Sequence, residues 1–295
     1  MILFISGRTD IVAFYTKWFV HKYQKGYVDV RNPFNPKLVS RIRFSDVDML
    51  FFCTKNPWPI IPYLTMFKEP ILFHVTLTPY KEDIEPNVID KKKVIEGIKK
   101  LSSILGKENV VVRYDPIFIN NKYTLSYHKR AFKKMCELLN GYVVNIVVSF
   151  LDNYKNVQKN WGYLKPQNFT EEMYQDLASN FSEYAKDNGM SVQTCFESRT
   201  LEEYGFIKGE CMSREAAFKI TGKNYPKQSF RKGNKCSCVQ MVDIGVYNSC
   251  KHMCKYCYAN YLEEKVNNNY DKHDVHSSLL VGNLESDDII KIREK

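Results

Sequence analysis

Short apolar runs alternate with amphipathic stretches along most of this chain of 295 residues, and that alternation limits the fold more than any other feature. The runs fall at residues 1–6, 48–53, 71–77, 109–113, 143–150 and 191–196. They are apolar on both faces, as strands of a buried parallel sheet are, instead of alternating apolar and polar. Helical periodicity fills the gaps. Asp10 caps a helix carrying Val12, Phe14, Tyr15, Trp18 and Phe19, which Gly26 ends. Residues 90–105 form a second helix, stopped by Gly106. A third spans 126–140, closed by Gly141, and a fourth spans 170–189. Residues 27–31 read as extended, and Pro33 and Pro36 make the following segment a loop. The pattern predicts an α/β fold, a parallel sheet wrapped by helices and closed wholly or partly into a barrel. Polar residues gather where the strands end: Arg8, Asp10, Lys55, Thr78, Arg113, Asp115, Asp152 and Glu197. In barrels that end carries the active site, although each such residue taken singly also suits a cap or a turn.

Composition narrows the setting. A hydrophobic content of 44% with mixed charge is that of a globular protein, and no apolar run is long enough to span a bilayer. The apolar start, Met1 to Ser6, has no basic leader and reads as a buried strand, not a signal peptide. Nine cysteines, an odd number, predict a reducing, cytoplasmic setting in which thiols bind metals or clusters more readily than they pair. The net charge of +10 suits polyanionic partners, nucleic acid among them; solvated lysines account for it equally.

The chemistry concentrates near the end of the chain. A strand predicted over 241–246 runs into Cys250-Lys251-His252-Met253-Cys254-Lys255-Tyr256-Cys257, and a helix is expected from 256 to about 266. Three thiolates hold three corners of a [4Fe–4S] cluster and leave the fourth iron open, whereas a fully ligated cluster takes four cysteines. A zinc site wants four protein ligands in paired short spacings, so zinc or three unrelated thiols is the lesser reading.

The Cys-x3-Cys-x2-Cys pattern with an aromatic before its last cysteine resembles the signature of the radical S-adenosylmethionine (radical SAM) superfamily. That resemblance implies an open iron that binds the amino and carboxylate groups of S-adenosylmethionine. It also implies a 5′-deoxyadenosyl radical that abstracts hydrogen from a substrate, and an electron donor such as flavodoxin or ferredoxin. In that superfamily the loop follows the first barrel strand. Here it lies at residue 250, so the resemblance implies circular permutation, with strands two to six first and strand one last. Ile5-Ser6-Gly7-Arg8-Thr9-Asp10 resembles the second strand and Thr-Asp turn of the spore photoproduct lyase-like branch, and Cys53-Thr54-Lys55 the end of its third strand. Val75-Thr76-Leu77-Thr78, with Glu85-Pro86 and Asp90-Lys91-Lys92-Lys93, is similar to its fourth strand and the Glu-Pro after it. Arg113-Tyr114-Asp115-Pro116-Ile117 is similar to its fifth. The chain also resembles an uncharacterised family of domains of unknown function with a cysteine cluster near the C-terminus.

The fold so implied is a circularly permuted partial (β/α)6 TIM-like barrel with a cysteine-bearing irregular insertion before the last strand. Residues 1–199 supply strands two to six and 200–240 the cysteine-bearing connector; 241–270 supply the permuted first strand, loop and helix, and 271–295 a polar tail. Cys250, Cys254 and Cys257 would bind iron. Tyr256 would pack near the adenine or simply in the core. Lys55 would pair with the ligand's carboxylate. Thr76 or Thr78, on one face with His74, would hydrogen-bond the same ligand, and Asp10 joins this cofactor-binding group. Arg113 and Asp115 are the expected catalytic or substrate-binding pair.

Cys195, Cys211, Cys236 and Cys238 remain in the segment that joins the last of these strands to the cysteine loop. Four thiols there suit a second [4Fe–4S] cluster. Zinc is the runner-up, although Cys-x-Cys is unusual for it, and four unrelated buried thiols are the plain alternative. Cys53 and Cys136 read as core. The polar stretch to Asn168 reads as a loop or lid, and Leu279-Leu280-Val281 as a short strand or packing patch. The substrate is not legible, with nucleic acid or a nucleotide favoured by the charge and the resemblance. The rival functions are a non-catalytic iron–sulfur or zinc nucleic-acid-binding protein and an electron-transfer protein.

Overall fold

The computed structural model describes residues 1–195, 197, 199–228 and 238–294. In chain order the first elements are β1 (Ile2–Ile5), α1 (Ile11–Phe14), α2 (Thr16–Lys25), β2 (Tyr27–Arg31), β3 (Leu38–Arg43), β4 (Met49–Thr54) and β5 (Ile71–Thr76). There follow α3 (Lys91–Leu105), β6 (Val110–Ile117), α4 (Leu125–Leu139), β7 (Asn145–Phe150), α5 (Lys155–Gln158), α6 (Trp161–Leu164) and α7 (Glu171–Asp187). The last are β8 (Ser191–Thr194), β9 (Ile207–Lys208), α8 (Arg214–Thr221), β10 (Met241–Asp243), α9 (Glu263–Asp271) and β11 (Ile289–Ile292).

Among the described residues β10, β1, β4, β5, β6, β7, β8 and β9 form, in that order, one sheet of eight strands, every pair parallel. The expected α/β class with a large parallel sheet is therefore observed. The last strand of this sheet in sequence, β10, stands at its edge beside the first, with Ile2 opposite Met241 and Phe4 opposite Asp243. Arg8, just past β1, locks that edge by donating from Nε to Asp243 Oδ2 at 2.8 Å.

Both faces of the sheet are covered, which is why its strands are apolar throughout. On one face Phe52, Phe73, Val112 and Val148 pack with Trp18 and Phe19 of α2, Ile98 of α3, Phe132 of α4 and Phe181 of α7. On the other, Ile2, Met49, Phe51, Leu72, Val111 and Val147 pack with Cys195, Met212, Val239 and Ala217 of α8. The period-two alternation carries this second face onward from Phe51 to Cys53, from Leu72 to His74 and Thr76, from Val111 to Arg113 and Asp115, and from Val147 to Ser149. It is apolar toward the strand starts and polar toward the strand ends.

Several boundaries differ from the sequence reading. β10 ends at Asp243 and β8 at Thr194, short of the ends of the runs at 241–246 and 191–196, and Phe196 lies outside the described residues. Tyr256 lies in a turn, and the helix expected from it begins at Glu263. β9, two residues long, is too short to leave a periodic signal. β11, β3 and β2 form a separate three-stranded sheet. β11 is exposed along its length, and β3 carries Arg41 and Arg43, so pairing rather than intrinsic pattern makes them strands. The segment 271–295 packs against this region. Trp18 Nε1 donates to Ser277 O at 2.9 Å, Lys22 Nζ to His276 O at 2.8 Å and Asp29 N to Ser278 O at 3.0 Å. Leu279 and Leu280 are buried outside any strand, which makes them a packing patch.

Candidate metal centre

The cysteine loop follows β10 at the C-terminal edge of the sheet. It has little regular backbone pairing, so its carbonyls need donors from elsewhere. Asparagine side chains supply them: Asn87 to Lys251 O at 2.8 Å, Asn160 to Lys255 O at 2.6 Å, Asn260 to Cys250 O at 2.7 Å, Asn269 to Asn248 O at 2.9 Å, and Asn156 to Tyr258 O. Tyr15 donates to Ser249 O at 2.6 Å and Tyr258 to Gly7 O. A side chain at Gly7 would place its Cβ 2.7 Å from Asp243 Oδ2, so this approach of β1 to β10 requires glycine.

Asp10 ties the loop to the strand ends. Its carboxylate accepts from Ala13 N at 2.9 Å, from Thr54 Oγ1 at 2.8 Å and from Lys55 N at 2.8 Å, and meets His252 Nε2 at 2.9 Å. It caps α1 as the sequence implied and also joins β1, β4 and the loop. The other ring nitrogen of His252 faces Asn87 O at 3.3 Å. Both nitrogens of the one histidine in the loop are thereby engaged by protein groups.

Cys250, Cys254 and Cys257 are half-buried around the loop. Burial and the charge of Cys257 push the Cys250 thiol well up. Burial pushes Cys254 up to about 12, against the pull of Lys55. Burial also raises Cys257, which Ala259 N opposes by donating to its sulfur at 3.4 Å. Thiols that burial holds neutral become thiolates when a cationic centre binds them. Among the described residues no three His, Cys, Asp or Glu have the spacing of a single bound ion. Three thiols are a donor set of the kind that binds three irons of a cubic cluster, one to each. Among the described residues three buried polar atoms have no protein partner: Thr9 Oγ1 past β1, His74 Nδ1 in β5 and Asn260 Oδ1 beside the loop. Such groups are rare in native folds, and a bound ligand is one reason for them.

Glu85, 2% exposed, is the hub beside Cys254. It accepts from Lys55 Nζ at 2.7 Å, from Thr78 Oγ1 at 2.7 Å, from Lys91 Nζ and from the Tyr256 hydroxyl. Burial disfavours its charge, but Lys55 and Lys91 prevail and hold its carboxyl down at about 2. Burial likewise works against the Lys55 ammonium, which Glu85 and Cys254 keep above its ordinary value. Tyr256 lies 5.7 Å from the Tyr80 ring, with Lys55 Nζ 5.4 Å from its own. It shares an apolar cluster with Val157 and Leu164. The stretch thought of as a loop or lid contains α5 and α6, which press this cluster and the two clamping asparagines onto the loop.

The remaining predicted residues form a second group. The thiols of Cys195, Cys211 and Cys238 lie close enough to act on one another; Cys236 lies outside the described residues. Arg113 Nη1 donates to Cys211 Sγ at 2.9 Å, while its Nη2 and Nε reach Asp115 Oδ2 at 2.6 and 3.1 Å. Ser149 donates to the other oxygen of Asp115. The neighbouring Cys195 and Cys238, and the charge of Arg113, pull the Cys211 thiol well down. Thr76 stands opposite Arg113 on the neighbouring strand. Cys53 is half-buried near this group, and Cys136 is fully buried in α4. Burial, with Asp152 and Asp115 nearby, pushes the Glu197 carboxyl up to about 7. Lys55, Thr78, Tyr256 and Asp10 thus gather at the loop, and Arg113 and Asp115 at the second thiols. Sequence reasoning missed His252, Lys91 and the clamping asparagines, and treated Glu85 only as part of a motif.

The chain is an α/β protein with a three-cysteine loop at the C-terminal edge of a parallel sheet. Residues 2–259 match the model of the family described as Domain of unknown function (DUF1848), and the chain belongs to that family. The matched span contains all nine cysteines and ends before α9. No curated protein matches the chain. Among the described residues no helix is long and apolar enough to cross a membrane.

Proposed function

We propose that this chain is a radical SAM enzyme that holds a [4Fe–4S] cluster through Cys250, Cys254 and Cys257. One observation carries the reading. The loop offers three thiols and withholds its histidine, because Asp10 and Asn87 engage both nitrogens of His252. Three thiolates leave one iron of a cubic cluster open. The strand order supports permutation, since β10 leads into the loop and lies parallel to β1 at the sheet edge. Taking β10 as strand one, the order β10-β1-β4-β5-β6-β7 runs one to six. The connector packed across the second face suits a partial (β/α)6 barrel.

When bound, the cluster and S-adenosylmethionine supply a 5′-deoxyadenosyl radical that takes a hydrogen atom from a substrate. The chain's own residues bind, orient and exclude water. Lys55 and Lys91 share one carboxylate, Glu85, and so leave one positive charge beside Cys254 for an anionic ligand. Thr9 Oγ1 and Asn260 Oδ1 have bonding capacity that no protein group among the described residues uses. Tyr256 is fixed by Glu85 and braced by α6, which shields that side of the loop. The net charge of +10 supports an anionic substrate, a nucleotide or nucleic acid, and flavodoxin or ferredoxin is the proposed electron donor. The test is incubation of the reduced, anaerobically purified protein with S-adenosylmethionine. Slow formation of 5′-deoxyadenosine, lost in C250A/C254A/C257A, is expected. A protein that carries iron but forms none overturns the reading, and zinc in the loop with no iron turns attention to the nucleic-acid-binding alternative.

A further inference from the structure

Three thiols distant in sequence meet on the second face of the sheet. Cys195 follows β8, Cys211 follows β9 and Cys238 precedes β10. The three thiols lie close enough to act on one another, and Arg113 reaches from β6 to donate to Cys211 Sγ at 2.9 Å. His74 stands on the same face within electrostatic reach of Cys211. It is 2% exposed, and its Nδ1 has no partner among the described residues.

We propose that Cys195, Cys211 and Cys238 are ligands of a second, iron–sulfur centre, and that Arg113 is the positioning residue that holds Cys211 for it. The proposal does not rest on the radical reading. Buried thiols that merely fill space behave as small hydrophobes and ask for apolar neighbours. Cys195 and Cys211 do have apolar neighbours on this face, but Cys211 also meets a buried guanidinium, and an imidazole nitrogen with no partner among the described residues stands nearby. A neutral thiol is a weak acceptor, so a short N–H bond from a buried arginine points to a sulfur that carries charge. Asp115 already neutralises the guanidinium through two bonds and is itself held by Ser149, so Arg113 is fixed in direction when it meets Cys211. A metal-bound thiolate supplies the charge that this donor is aimed at. Hydrogen bonds to cluster sulfurs also tune reduction potential, which gives Arg113 a measurable effect.

The experiment compares iron, sulfide and zinc per chain, with absorption and EPR spectra, in the full chain purified anaerobically. The set comprises wild type, C250A/C254A/C257A, C195A/C211A/C238A and Arg113→Lys. About eight irons are expected in wild type and about four in each triple variant. Arg113→Lys is expected to keep its iron while shifting the EPR signal and reduction potential that survive in C250A/C254A/C257A; an unchanged signal overturns its positioning role. A loop variant with no iron overturns the second centre and leaves the radical reading standing. Zinc in place of the residual iron overturns the iron–sulfur assignment. If C195A/C211A/C238A does not fold, the loop variant alone decides. The radical reading fails separately, through the absence of 5′-deoxyadenosine from iron-loaded wild type.

Discussion

The two cysteine groups are built in opposite ways. Cys250, Cys254 and Cys257 lie within eight residues, and donors to the carbonyls around them fix their geometry. Cys195, Cys211 and Cys238 come from three separate connections and meet only because β8, β9 and the connector fold over the second face. The loop is a local structure anchored at a few points, whereas the second group is a product of tertiary packing. Substitutions at the anchors should therefore open the loop before the second group.

The most severe way to break that distinction is Asp10→Ala. It strips the acceptor from Thr54, Lys55 N, Ala13 N and His252 together. Each buried donor left bare costs about 1–3 kcal/mol, so a loss of about 4 kcal/mol is expected after relaxation. That is about 10 °C in melting temperature for a chain of this size. Alkylation followed by peptide mapping should find Cys250 and Cys254 exposed early, with Cys195 and Cys238 still protected. Simultaneous exposure of both groups would mean that they are one cooperative unit and that the contrast is wrong.

The same contrast explains what the sequence revealed. The loop was legible because its chemistry is local, and the sheet because strands buried on both faces are apolar without interruption. Asp10 was legible as a cap, since a cap lies next to its helix. Its bond to His252 spans 242 residues, and Arg113 meets Cys211 across 98, separations that no periodicity encodes. Glu85 precedes a proline in an irregular stretch and had no pattern to mark it as a buried hub. The helix expected from Tyr256 failed for a related reason. Residues 258–262 turn back so that Asn260 and Tyr261 can bond the loop, and the helix waits until Glu263.

A smaller effect comes from pH. The Glu85 carboxyl is held at about 2, below its ordinary 4.5, so its contribution is complete above about pH 4.5 and is lost as pH falls toward 2. The shift corresponds to about 3 kcal/mol. Urea midpoints at pH 6 and pH 3 should therefore differ by more in wild type than in Glu85→Gln. Equal differences would show that Lys55 and Lys91 are solvated in the folded chain rather than committed to Glu85. Tyr256 fluorescence should change through the same window, since its hydroxyl loses a charged acceptor.

The smallest effect sharpens the contrast most. Asn160 and Asn87 each give one amide bond to a loop carbonyl, from α5–α6 and from the turn before α3 respectively. A single such bond contributes about 1 kcal/mol net. Asn160→Ala and Asn87→Ala should each lower global stability by about that amount, a few degrees in melting temperature. The double variant should be nearly additive if the loop is held at independent points, and more than additive if the clamps work together. Hydrogen exchange separates the two cases. Independent clamps predict faster exchange only near Lys251 in one variant and only near Lys255 in the other. A cooperative loop predicts that either variant opens all of 250–257, while amides of β6 and β8 beside the second thiol group stay at wild-type rates.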